Sequence, residues 1–204
     1  MNKPDLPRER MVTCFESKYL NVIDLNYAEG RHYYVSSRHS LEDFTVLKDE
    51  EEFKKQLPDA VTCFVIIKTK GAEPRLLLEK EFRYPTGQFL SGPPAGLLDP
   101  EDKDAPEPRV ETAKREIKEE TGLDIQEMQY LFSSPNVYMY SGMGVHTVDM
   151  DFLVRVHGDS IPVTAADDAT EARWTPINKV NPAEFGLTSI RNAVISFLSE
   201  TLRK

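Results

Sequence analysis

Glu116, Glu119 and Glu120 stand at i, i+3 and i+4 in the segment Arg115-Glu116-Ile117-Lys118-Glu119-Glu120-Thr121-Gly122-Leu123. On a helix these positions share one side. Like charges at i, i+4 repel by roughly 0.2–0.5 kcal/mol unless something neutralises them. Two outcomes are open to such a fragment on its own. It can be a solvated helix face, with Glu111–Arg115 and Arg115–Glu119 as surface ion pairs. It can also be a carboxylate cluster that holds a hard divalent cation jointly with substrate phosphates. The helix itself is marked at both ends. Pro108 suits the first helical position, where no N–H is needed, and Gly122 suits the left-handed cap. Between them Val110, Ala113 and Ile117 recur at helical spacing and predict a core-facing stripe.

The flanking residues carry more information. The stretch opens with Pro94-Ala95-Gly96, and Glu107 is followed by seven residues and then Arg115–Leu123. This resembles the Nudix box: a glycine, five residues, a glutamate, seven residues, then Arg-Glu-aliphatic-any-Glu-Glu-any-Gly-aliphatic. Every defined position from Glu107 onward matches. Upstream, ten residues separate Gly96 from Glu107 instead of five. The surplus falls in Asp99–Pro106, which is acidic and proline-bearing and reads as an enlarged surface loop.

The resemblance implies an α/β fold, a Nudix-type α/β/α sandwich with a mixed sheet. It also implies metal-dependent hydrolysis of the pyrophosphate bond in a nucleoside diphosphate linked to another group. On that reading Glu116, Glu119, Glu120 and the Ala95 carbonyl bind Mg²⁺ or Mn²⁺. Arg115 holds the glutamates in place, Glu119 assists catalysis, and Gly96 lies against the substrate.

Glu81-Phe82-Arg83-Tyr84-Pro85 is similar to a feature of the ADP-ribose pyrophosphatase branch of that family, where an arginine ends a strand before the box. Arg83 offers a planar fork of donors for phosphate oxygens; its plainer role is a surface pair with a neighbouring glutamate. Tyr84 or Phe82 stacks on adenine or belongs to the core. That branch often carries a glutamate two residues before Pro-Ala-Gly, and here the position is Gly92. Residues 133–142, rich in turn formers and aromatics, read as a loop at the cleft mouth. Tyr138, a candidate substrate contact, falls where the branch places a proline, and Pro135 lies three residues short of it. His146 reads as a strand histidine. In Asp167-Asp168-Ala169-Thr170-Glu171, Asp168 or Glu171 is a candidate general base, unless the stretch is simply a solvated acidic loop. The substrate implied is ADP-ribose or an ADP-sugar, cleaved to AMP and a sugar phosphate. NADH, a dinucleoside polyphosphate or another nucleotide sugar are alternatives, as is a non-catalytic, ligand-sensing Nudix domain. Intact Arg115, Glu116, Glu119 and Glu120 speak against the last.

At 204 residues the chain has room for one substantial domain and a small extension. The pattern divides it into a β-rich extension over 1–57 and a Nudix-like domain over 58–204. Net charge is −9, which argues against nucleic acid as partner. No apolar run approaches a membrane span, and the N-terminus lacks an apolar signal region, so the expected location is cytoplasmic. Cys14 and Cys63 read as reduced, packed thiols. Strands are predicted from Val12 to about His39, over Ala60–Lys68, Pro74–Tyr84, about Glu127–Phe132 and Val145–His157, and around Trp174. Helices are predicted at Glu51–Gln56 and Thr188–Leu202. Phe15, Tyr19, Tyr27, Tyr33 and Tyr34 are many aromatics for so short an extension to bury alone, so a homodimer built through it is expected, as in the pyrophosphatases that this chain resembles.

Overall fold

Alternating hydrophobicity with Glu29-Gly30 as a turn folds residues 11–37 into an antiparallel meander. A computed structural model describes residues 6–84, 86–140, 143–158 and 161–201, without the side chains of 100, 101, 134–140, 143–146 and 201. It places β1 at Met11–Glu16, β2 at Asn21–Ala28 and β3 at Arg31–Ser37, ordered β1-β2-β3. Register sets Thr13, Ile23 and Val35 side by side on one face and Val12, Asp24 and Tyr34 on the other. The first face buries Met11, Ile23 and Leu25 against Phe44. The second leaves Val12, Phe15 and Tyr34 more than half exposed. A short helix, α1 (Glu50–Lys55), follows; Asp49 and Glu52 close a reciprocal capping box at its start. By contacts the chain forms two compact units, one of Met1–Leu57 with Val137–Thr147 and one of Pro58–Asn136 with Val148–Lys204.

The second unit is organised on β4 (Ala60–Lys68), whose almost wholly apolar run is buried on both faces. Its neighbours are β5 (Arg75–Arg83), β6 (Gln88–Gly92), β7 (Ala95–Leu97), β8 (Met128–Tyr140), β9 (Met143–His157) and β10 (Ala169–Pro176). The main path runs β10-β5-β4-β9-β8, with β6 on β5 and β7 on β4. β4 and β9 are parallel, while β4–β5, β5–β10 and β5–β6 are antiparallel. The sheet is therefore mixed, as expected. Period-2 alternation sends Phe64 and Ile66 of β4 into a cluster with Leu76, Leu78, Leu153 and, from α3 (Thr188–Thr201), Ala193, Val194 and Phe197. The rings of Phe64 and Phe197 stack 4.4 Å apart. Cys63, on the opposite face of β4, points at the Ala113 carbonyl of α2 (Pro108–Thr121). Helices thus cover both faces. Among the described residues no helix is long and apolar enough to cross a membrane.

Two expectations change. The loop expected over 133–142 is strand as far as Tyr140 in β8, with β9 starting at Met143. Val137, Tyr138 and Tyr140 favour extended backbone, and β8 is an edge strand, where Pro135 is tolerated. The enlarged loop over Asp99–Pro106 contains regular structure. Pro100–Asp104 forms a 3-10 helix closed by a reciprocal capping box between Asp99 and Asp102.

Candidate active site

Helix α2 begins with Pro108 and ends on Gly122, whose φ of 75° is the left-handed conformation that a side chain would strain. It buries Ala113 and Ile117 in the core and, unusually for a charged helix, Glu116 and Glu120 with them. Glu119 is different: its side chain stays 48% exposed. The three glutamates are therefore not equivalent, because i+3 turns toward solvent here while i and i+4 turn into the sheet. Glu116 fits only because Gly96 lacks a side chain. A Cβ at Gly96 would run into the Glu116 carboxylate. Gly96 lies in β7, where Ala95 pairs with Thr62 and Gly96 with Val61 of β4. The strand thus brings Ala95 and Gly96 to the buried side of the helix.

Arg115 acts as a clamp. Nη1 bonds Glu116 Oε1 at 2.8 Å and Glu119 Oε2 at 3.2 Å, while Nη2 donates to the Leu97 carbonyl at 3.3 Å. Nη2 also bonds Asp102 Oδ2 at 2.8 Å. That same oxygen accepts the Thr112 hydroxyl and the Asp99 amide, both at 3.0 Å. Burial opposes ionisation of Arg115, yet the bond it donates to Asp102 and the charge of Glu116 hold its guanidinium well above the usual range. Burial likewise works against the Asp102 carboxylate, and the bonds from Arg115, the Asp99 amide and Thr112 outweigh it and lower its pKa. Asp102 lies within the surplus residues of the box, so no motif flags it.

The cluster extends across to β5. Glu79 and Glu120 face each other within hydrogen-bonding reach, and both are pushed upward, first by burial. Their exposures are 6% and 4%. One oxygen of each, Oε2, is buried without a hydrogen-bond partner. Glu81, two residues on and so on the same face of the strand, is raised to about 7 by burial, against Arg83 and with Asp168 beside it. Glu116 is also raised to about 7, by burial first, despite Arg115. Sequence reasoning missed Glu79 and Glu81. In Leu76-Leu77-Leu78-Glu79-Lys80-Glu81 they look like ordinary strand alternation, and nothing local shows that Glu79 points at a helix forty residues later.

The other candidates separate. Asp168 joins the cluster through Glu81. Glu171 does not lie in a loop; it is in β10 and pairs with Arg173 at 2.8 Å. It stands opposite Lys80, and so on the other face of the sheet from Glu79 and Glu81, away from the acidic cluster. Arg83 pairs with Glu81 at 2.7 Å. It lines a small cleft with Glu79, Glu81, Gly92, Ala95 and Ile190. Tyr84 is 87% exposed and is not core; Phe82 meets its ring edge to face. The side chains of Tyr138 and His146 lie outside the described residues.

Among the described residues no three His, Cys, Asp or Glu side chains are arranged as a ready metal cage. The donor set nevertheless fits a divalent cation: hard oxygen ligands, crowded and buried, with unpartnered oxygens on Glu79 and Glu120.

Comparisons with known proteins bear on the same region. No curated protein matches the sequence. Among solved structures, the NUDIX domain of Shewanella oneidensis NrtR complexed with ADP ribose is 16% identical with a TM-score of 0.55, covering 80% of this chain and 99% of that one. A structure described as an ADP compounds hydrolase, also 16% identical at TM-score 0.55, covers 95% of this chain and 91% of that one. A Caenorhabditis elegans Ap4A hydrolase in binary complex is 15% identical at 0.52, covering 72% and 100%. At these identities the likeness is one of fold. The sequence itself is matched by a family model described as NUDIX domain over residues 56–194, a span that takes in the box helix, its sheet and the acidic cluster, and so the chain belongs to the NUDIX family.

Proposed function

We propose that this Nudix hydrolase cleaves the pyrophosphate bond of a nucleoside diphosphate linked to another group, and that the substrate is ADP-ribose or an ADP-sugar, giving AMP and a sugar phosphate. The observation that carries the reading is the burial of Glu116 and Glu120 beside a glycine that makes room for them. Helix faces on the surface do not sink two carboxylates into a sheet unless something is to neutralise them. Glu116, Glu119, Glu120 and the Ala95 carbonyl would hold Mg²⁺ or Mn²⁺. When bound, such an ion neutralises pyrophosphate charge and polarises the phosphorus centre.

The protein's own residues account for the rest. Arg115, fixed from behind by Asp102, keeps Glu116 and Glu119 in one orientation. Arg83 stands at the cleft with a guanidinium suited to phosphate oxygens, and Tyr84 presents a free ring to a base. In hydrolysis a water oxygen bonds to phosphorus, the bridging P–O bond breaks, and the water's proton must be accepted. Glu81, whose carboxyl burial raises to about 7 with Asp168 beside it, suits that task. The fold neighbours that bind ADP ribose or act on ADP compounds favour the adenine diphosphate class. The Ap4A hydrolase neighbour makes a dinucleoside polyphosphate the second substrate to try. The test is a panel of ADP-ribose, ADP-glucose, NADH and Ap4A with Mg²⁺ or Mn²⁺, with products separated by chromatography. Fastest release of AMP from ADP-ribose or ADP-glucose supports the reading, and preference for Ap4A or NADH replaces it.

A further inference from the structure

We propose that Glu79 is a strand-borne metal ligand, so that the divalent cation is held between α2 and β5 and not by the helix alone. The inference rests on the proposed metal-dependent function and assigns to that site a residue outside the box. Glu79 is 6% exposed. A carboxylate at that depth needs hydrogen-bond donors or a positive charge, and its Oε2 has no partner. The carboxylate it faces, Glu120, is in the same condition. The guanidinium groups nearby are engaged elsewhere, Arg83 with Glu81 and Arg115 with Asp102, Glu116 and Glu119.

The strand pairing explains why there is room. Glu79 of β5 lies directly opposite Gly92 of β6. Directly opposed residues present their side chains on one face of an antiparallel pair. The position beside Glu79 therefore carries no side chain. The competing account is structural: Glu79 and Glu120 simply share a proton as a buried acid pair. In that case replacing Glu79 leaves metal binding untouched.

The test is Mn²⁺ titration of the metal-stripped full chain by calorimetry, with thermal unfolding in parallel, for the wild type, Glu79→Gln and Glu120→Gln. The expected result is that Glu79→Gln unfolds at or above the wild-type temperature without metal. It should bind Mn²⁺ roughly tenfold or more weakly, at least the loss seen when an outer-shell partner of a ligand is removed. Mn²⁺ binding within twofold of wild type in Glu79→Gln, with the loss seen only in Glu120→Gln, overturns the role of Glu79 and leaves the metal reading standing. Failure of the wild type to bind Mn²⁺ overturns the underlying reading as well. Should Glu79→Gln not fold, anomalous scattering from Mn²⁺-soaked crystals of the unaltered chain decides the matter. Manganese bonded to a Glu79 oxygen confirms the ligand, and manganese on α2 without Glu79 rejects it.

Discussion

Replacing Asp102 by alanine removes the acceptor on which three donors converge: Arg115 Nη2 at 2.8 Å, the Thr112 hydroxyl at 3.0 Å and the Asp99 amide at 3.0 Å. A hydrogen bond to a charged group contributes about 1.5–3 kcal/mol net, and the lower end applies because the Arg115 side chain is 30% exposed. Thr112 keeps its bond to the Pro108 carbonyl, so its share is small. Loss of the capping interaction with Asp99 adds ~0.5 kcal/mol. The total, about 2 kcal/mol, corresponds to a fall in Tm of roughly 4–8 °C for a chain of this size. Because the chain forms two units, the transition is best followed by the fluorescence of its one tryptophan. Trp174 lies in the unit concerned and is held through Nε1 to the Ile161 carbonyl at 2.8 Å. The pH dependence is a second arm. Asp102 has a lowered folded-state pKa, so its contribution is present above the unfolded value of 3.8 and lost as pH falls through the folded one. Wild type and Asp102→Ala should converge in strong acid. A Tm for Asp102→Ala within about 1 °C of wild type near neutrality, in place of the fall of roughly 4–8 °C, would refute the clamp and return Asp99–Pro106 to the status of a dispensable loop.

Other outcomes follow from the same geometry. Glu120→Gln should keep the fold and lose most of the activity, as read by AMP release at saturating Mg²⁺ beside a melting curve. Gly96→Ala should displace Glu116, costing ~1–3 kcal/mol by overpacking, with weakened Mn²⁺ binding seen by calorimetry. Without divalent cations, Glu116 favours the fold most below its unfolded value of 4.5, and that contribution is lost as pH rises through about 7. Tm measured across that window should therefore fall more steeply in wild type than in Glu116→Gln. The full chain should be a homodimer by light scattering, with Val12→Glu or Tyr34→Glu on the exposed sheet face shifting it to monomer; a wild-type monomer mass at micromolar concentration ends that idea.

The helix of the site was legible residue by residue, because Pro108, Gly122 and the stripe Val110, Ala113, Ile117 are local signals that the backbone obeys. The strands were legible where alternation or an apolar run was strong, as in β4. Glu79 was hidden because its partner comes from another element, and strand register, not sequence proximity, brings them together. Asp102 was hidden because surplus loop residues carry no motif, although the Asp99 capping pattern could have predicted a short helix there. Glu171 misled because the acidic stretch divides where β10 begins: Asp168 lies in the turn before it, and Glu171 pairs opposite Lys80 on the other face of the sheet from Glu79 and Glu81.

The most direct measurement incubates the full chain with ADP-ribose and Mg²⁺ and quantifies AMP and ribose phosphate for wild type, Glu116→Gln and Glu120→Gln. Equimolar products formed by the wild type, dependent on the divalent ion and nearly abolished in both variants while each still unfolds cooperatively, are the predicted result. Cleavage by either variant at the wild-type rate, or none by the wild type, would contradict the account.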